Sequence, residues 1–232
     1  MTLSLNEIEV TVRKAALGSG LPLGLAEEAG AVAAWLAAVG FPVEDLMVSA
    51  LEHSNDEALL LSRAGAIYRL TTNGGACAAL RAAPSACDLV VAAARSGKPI
   101  AVEAAMDVPA LAVAQAAVAA RESGVEIAVW IGETLVARLV GESAILFGDM
   151  TELAALRSLP VRIRIAQDRD RLESRKFARP DLIAARDLAL KDGVRMEPSS
   201  WERIRSLAAR TLVPATMHSR ERGAGAGLID TD

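Results

Sequence analysis

The sequence predicts an α+β fold: an N-terminal helical subdomain, a central mixed sheet with helices, then C-terminal helices and a Gly-rich tail. Three observations point there. The first fifty residues repeat apolar side chains at three- and four-residue steps, the spacing of one helix face. Strand-like runs and a two-residue hairpin turn then interleave with helical stretches as far as Ile165. Beyond that point the readable pattern is helical again. Residues 1–56 are the predicted helical subdomain and 57–232 the mixed core with its C-terminal helices, together one continuous globular unit. A regular βαβ series with a parallel sheet is the alternative, and the central hairpin argues against it.

The first helix is signalled by Ser4-Leu5-Asn6-Glu7, the spacing of a capping box, with Leu3 and Ile8 at the staple positions. Leu5, Ile8, Val12 and Ala16 make its apolar face, and Gly18 and Gly20 end it. A second helix follows Pro22 on Leu25, Ala29, Val32, Leu36 and Val39, closed by Gly40 and Pro42. A third, shorter one runs from Val43 to about Leu51. Ala66–Leu70 reads as a strand ended by the turn Asn73-Gly74-Gly75. Ser85 is placed to cap a helix to about Arg95, with Asp88 at its third position, and Gly97-Lys98-Pro99 breaks it. Ile100–Val102 is a short strand. Asp107 is the expected cap of a long helix with Pro109 in its first turn and Gly124 at its end.

Val125–Ile131 and Thr134–Val140 flank Gly132-Glu133 and form the predicted hairpin. Ser143–Phe147 is a further strand, and Asp149 caps a short helix to Ser158. Val161–Ile165 alternates Val, Arg, Ile, Arg, Ile: a strand with one wet face, or an edge strand guarded by charge. Gln167–Pro180 is a charged surface stretch. Asp181–Lys191 is helical, and Ser199-Ser200-Trp201-Glu202 is a second capping box opening a helix to about Arg210.

Composition narrows the function classes. With 232 residues the chain can bury a real core. Much of its 52% apolar content is alanine, which favours close helix packing. A formal net charge of −4 gives no general attraction to nucleic acid or anionic lipid, and 3% aromatics cannot supply a base-stacking platform. No nucleic-acid partner is expected. The start has no charged n-region followed by an apolar core, and the apolar run Val108–Ala120 is too short for a bilayer. A cytoplasmic protein with no membrane association is therefore expected. Cys77 and Cys87 fit neither a disulfide scaffold nor a zinc site, and read as buried thiols.

The strongest candidate site is the C-terminal run Thr216, His218, Ser219, Arg220 and Arg222 with Gly223, Gly225 and Gly227. Alternating glycines let backbone N–H groups approach an anion, and a guanidinium can clamp a carboxylate or phosphate. A loose tail is the competing reading. His53, in Glu52-His53-Ser54-Asn55-Asp56, is the other weak catalytic candidate beside His218. It lacks a second histidine one turn away, so no metal site is expected. Cys77 after Gly74-Gly75 reads first as a turn and a buried thiol. Glu28 is read as facing water, opposite the apolar stripe of its helix, and Glu103 with Asp107 as a carboxylate pair without a task. Arg162, Arg164, Arg169, Arg171, Arg175, Lys176 and Arg179 form the one basic cluster, diluted by Asp168, Asp170, Glu173 and Asp181, and read as a solvated face.

The segments Ser4–Glu9, Gly24–Gly30, Val213–Arg220 and Gly223–Asp230 resemble an uncharacterised bacterial family, a domain of unknown function. The resemblance implies a cytosolic bacterial protein and supplies no reaction. The N-terminal helix pair followed by Glu52-His53-Ser54 resembles the opening of the type-2 malate/lactate dehydrogenases. The chain lacks their His-Gly turn and a recognisable nicotinamide motif, so no catalytic residue is carried over and the cofactor is left open. Two functions follow as expectations: a protein binding or acting on a small anionic metabolite, or a non-catalytic accessory or assembly protein that pairs with a partner or with itself as a homodimer.

Overall fold

The computed structural model describes residues 1–52, 57–170 and 182–211. Helices α1 (Leu5–Gly18), α2 (Leu23–Ala38) and α3 (Val43–Glu52) open the chain after a two-residue strand β1 (Thr2–Leu3). The α1 capping box forms as its spacing requires: Glu7 N–H donates to Ser4 Oγ at 3.2 Å, and Ser4 N–H donates to the Glu7 carboxylate at 2.8 Å. Ile8, Val12, Ala15 and Ala16 are buried on one stripe.

Among the described residues seven strands form one mixed sheet. They are β2 (Leu60–Ala64), β3 (Ile67–Thr71), β4 (Ala101–Met106), β5 (Ile127–Ile131), β6 (Thr134–Val140), β7 (Ser143–Leu146) and β8 (Leu159–Ile165). Their spatial order is β2-β3-β4-β8-β5-β6-β7. Only β3 and β4 are parallel, joined through α4 (Ala79–Arg95); the other pairs in this sheet are antiparallel. The α+β assignment therefore holds, and the regular parallel series does not.

The helices stack in layers on one face of the sheet. Helices α4 and α5 (Ala110–Ser123) lie on the strands, α2 packs on α5, and α1 packs on α2. Ten of the fourteen α5 residues are buried, because this helix has neighbours on both sides. Its alanines permit that: a methyl side chain lets backbones approach and costs no rotamer entropy. After the short helix α6 (Met150–Ala155), the chain returns through α7 (Leu182–Asp192), β9 (Val194–Arg195) and α8 (Pro198–Ala209). There β9 pairs antiparallel with β1, and α8 packs on α1.

Several local expectations are corrected. Strand β2, with all five residues exposed, has no apolar alternation to announce it. Helix α4 starts at Ala79 and runs through Pro84, so Ser85 lies inside it and donates from its hydroxyl to the Arg81 carbonyl. Asp107 does not cap α5. Its carboxylate accepts from Ala79 N–H, the first residue of α4, and from Val108 N–H, both at 2.7 Å. Helix α8 is capped by Glu197, which accepts from Ser200 N–H at 2.8 Å, two residues earlier than the serine box implied. Strand β8 is central rather than an edge, flanked by β4 and β5. Glu28 is not left to water: it accepts from the buried Gln115 amide at 2.6 Å.

Candidate functional site

The sequence-derived site residues Thr216, His218, Ser219, Arg220, Arg222, Gly223, Gly225 and Gly227 lie outside the described residues, as does His53. Glu52, beside His53, forms a surface ion pair with Arg203. Cys77 is buried with its Sγ 3.6 Å from the Leu70 carbonyl. Burial, then the charges of Asp107 and Glu57, push its thiol above the ordinary range; burial does the same to Cys87. Both thiols are thereby poor nucleophiles. No helix among the described residues is long and apolar enough to cross a membrane. Nor is any group of three or more His, Cys, Asp or Glu among them placed to hold a metal ion.

What the fold does assemble lies on the sheet face opposite the helices. Strand alternation decides which side chains reach it. On β4, Val102, Ala104 and Met106 are buried under the helices, so Glu103 and Ala105 point the other way. On β8, Val161 and Ile163 are buried, so Pro160, Arg162 and Arg164 point with Glu103. Strand register then sets neighbours: Arg69 stands beside Glu103, and Glu103 beside Arg162.

This gives two rows across three strands. The first is Arg69, Glu103 and Arg162. The second, two residues further along each strand, is Thr71, Ala105 and Pro160, with Ala105 and Pro160 paired in register. At the strand rise of about 3.3 Å per residue the rows stand about 7 Å apart. The β5–β6 turn closes one end, with Gly132 N–H donating to the Pro160 carbonyl at 2.8 Å and Glu133 beside it. Gly132 adopts φ 58°, the left-handed conformation that a two-residue hairpin turn needs. The resulting groove has a volume of about 290 Å³.

Glu103 organises the charged row. Arg162 Nε donates to its Oε1 at 2.8 Å and Arg69 Nε to its Oε2 at 3.3 Å. Burial opposes the charge on Glu103, but the hydrogen bonds from Arg162 and then Arg69 outweigh it and hold the carboxyl below its ordinary range. Each guanidinium spends only its Nε–H on this carboxylate; their terminal N–H groups have no partner among the described residues. That leaves fork-shaped donor edges, the geometry that matches a carboxylate or phosphate.

Further along the same face lies a second, closed ion pair. Arg164 grips Asp170 with two parallel hydrogen bonds of 2.8 and 2.7 Å, and Asp170 also accepts from Gln167 N–H at 2.7 Å. Asp170 is fully buried and Arg164 nearly so, and the Arg164 guanidinium lies 5.6 Å above the Trp130 ring. Trp130 and Ala166 pack against a small apolar cluster of Ala128, Leu135, Ile145 and Phe147. Arg164 and Asp170, read from sequence as part of a solvated charged face, are thus interior. Their charges satisfy each other, so this pair holds structure while the Arg69–Glu103–Arg162 row keeps donors unused among the described residues.

Sequence reasoning missed Arg69 entirely and assigned Glu103 to a different pairing. The available signal was a charged residue at the middle of each short apolar strand: Arg69 in β3, Glu103 in β4 and Arg162 in β8.

Comparison with known proteins agrees with this picture at the level of fold. Residues 3–64 match a family profile described as a protein of unknown function (DUF3726). No curated protein sequence matches the chain. Among solved structures, malate dehydrogenase from Pyrococcus horikoshii OT3 superposes with a TM-score of 0.59 at 11% identity, over 90% of this chain and 95% of that one. Malate dehydrogenase from Entamoeba histolytica gives 0.58 at 8% identity, over 92% and 99%. Sulfolactate dehydrogenase from Methanocaldococcus jannaschii gives 0.55 at 9% identity, over 89% and 96%. The chain thus shares the fold of these dehydrogenases, and its residues 3–64 carry the pattern of a family of unknown function.

Proposed function

We propose that this protein binds a small anionic metabolite in the groove between β3, β4, β8 and the β5–β6 turn, with Arg69 and Arg162 as its anion clamps. The observation that carries this reading is the pair of guanidiniums anchored on Glu103 through Nε, with their terminal N–H groups unspent among the described residues. Dehydrogenases of the same fold are named for malate and sulfolactate, both small anions, which supports the class of ligand. The C-terminal residues Thr216, His218, Ser219 and Arg220, with Gly223, Gly225 and Gly227, are proposed as a second contributor to anion binding.

Isothermal titration calorimetry with inorganic phosphate, malate and valerate tests the reading. A charge-assisted hydrogen bond is worth about 1.5–3 kcal/mol, so Arg162→Ala should weaken binding by about tenfold or more while leaving the circular dichroism spectrum unchanged. Arg69→Ala should act in the same direction and less strongly, because Arg69 is the more exposed of the two. Indistinguishable titrations for wild type, Arg162→Ala and Arg69→Ala would remove the groove from consideration. Arg220→Ala in the same assay tests the C-terminal segment separately.

A second reading, self-association, is favoured by a different observation. Ile183, Leu188 and Leu190 of α7 and Leu60 and Leu61 of the edge strand β2 are about half or more exposed. Native mass spectrometry at micromolar concentration separates the cases: a monomer at every concentration counts against a homodimer.

A further inference from the structure

We infer that the groove selects a small zwitterion, an amino acid whose carboxylate meets Arg69 and Arg162 and whose ammonium meets Glu133. The inference rests on the anion-binding reading above and adds a second charge to it.

Three features of the groove lead there. First, its four ionised side chains, Arg69, Arg162, Glu103 and Glu133, sum to no net charge, so a simple anion gains no general field from them. Second, the charges are segregated. Both guanidiniums sit in the first row around Glu103, whereas Glu133 follows Gly132, which bonds to Pro160 of the uncharged second row. Third, the two carboxylates differ in their engagement. Glu103 is spent on Arg162 and Arg69, while Glu133 is exposed and has no hydrogen bond or ion pair among the described residues.

The floor between the two ends sets the size. Ala105 and Pro160 project little above the sheet, leaving room over the second row for a short hydrocarbon spacer. With rows about 7 Å apart and Glu133 beside the second of them, the charges of the preferred occupant are separated by about 5–7 Å. That separation is nearer to a 4- or 5-carbon ω-amino acid than to an α-amino acid.

The test titrates wild-type protein with glycine, β-alanine, 4-aminobutyrate and 5-aminovalerate, each against the acid lacking its amine: acetate, propionate, butyrate and valerate. The expected result is a preference for the amino acid that grows with chain length. It should reach up to about fivefold for 5-aminovalerate over valerate, the effect of one exposed ion pair. Glu133→Gln should erase that preference while valerate binding keeps its dependence on Arg162; Glu133 lies on an exposed turn, so the variant folds. Arg69→Ala should weaken both partners of each pair equally. If valerate binds as well as 5-aminovalerate, or Glu133→Gln leaves the preference intact, the zwitterion inference fails. The anion reading survives that result provided valerate or phosphate binding still depends on Arg162. If neither series nor phosphate binds wild type, both readings fail together.

Discussion

Single residues on the face opposite the helices carry two kinds of charge, and the difference is quantitative. Arg164 and Asp170 are buried and bidentate. Removing one partner leaves an uncompensated buried charge, which costs far more than the pair itself contributes. Arg164→Ala should therefore lower the unfolding free energy by about 3–5 kcal/mol, read by urea denaturation, whereas replacing Arg164 with Met and Asp170 with Leu together should recover much of that loss. Glu103 is different, because it is shared between two partly exposed arginines. Its pKa lies below the ordinary value of 4.5, so its stabilisation is fully present above the unfolded-state value and is lost as pH falls through the folded-state value. Wild type should exceed Glu103→Gln by about 1 kcal/mol at pH 6–7, and the gap should close progressively below about pH 4.5. A gap independent of pH between 3 and 7 would show that Glu103 acts through packing instead.

At the scale of elements, the sequence reports best where one short segment determines its own geometry. The Ser4 capping box, the Gly132-Glu133 hairpin and the Asp149 cap each form where their residues predict. It reports worst where a distant partner decides. Asp107 is positioned like a helix cap, yet it serves the amide of Ala79, 28 residues earlier in the chain. Arg69 and Arg162 meet Glu103 across separations of 34 and 59 residues, set by strand register that no local period encodes. Gly30 shows the same dependence in a helix. A Cβ there would stand 2.8 Å from the Glu9 carbonyl oxygen of α1, so α1 and α2 approach backbone to backbone. Gly30→Ala gains up to about 1 kcal/mol of helix propensity, but the overpacking costs about 1–3 kcal/mol. A net loss of up to about 2 kcal/mol in thermal unfolding is expected, and a stabilised variant would contradict the tight crossing.

Across the whole molecule, the order helices, mixed region, helices was legible, but not the way its ends meet. The amino terminus donates to the Met196 carbonyl at 3.1 Å, Met196 N–H donates back to the Met1 carbonyl at 2.8 Å, and α8 packs on α1. One continuous core cluster accordingly runs from Leu3 to Leu207. Against this closed body the β2–β3 hairpin stands apart, since every residue of β2 is exposed and β3 is bound to the rest of the sheet only through β4. A segment with few buried apolar contacts opens at a lower free energy than the core does. Arg162 is built on a central strand, but Arg69 is carried by this hairpin. The two halves of the proposed clamp therefore differ in local stability: a carboxylate would meet one guanidinium on a central strand at Arg162 and one on the less stable hairpin at Arg69. On that proposal, holding the second in place would cost part of the binding free energy, and stiffening a two-stranded ribbon would lengthen the stay of an occupant held through Arg69.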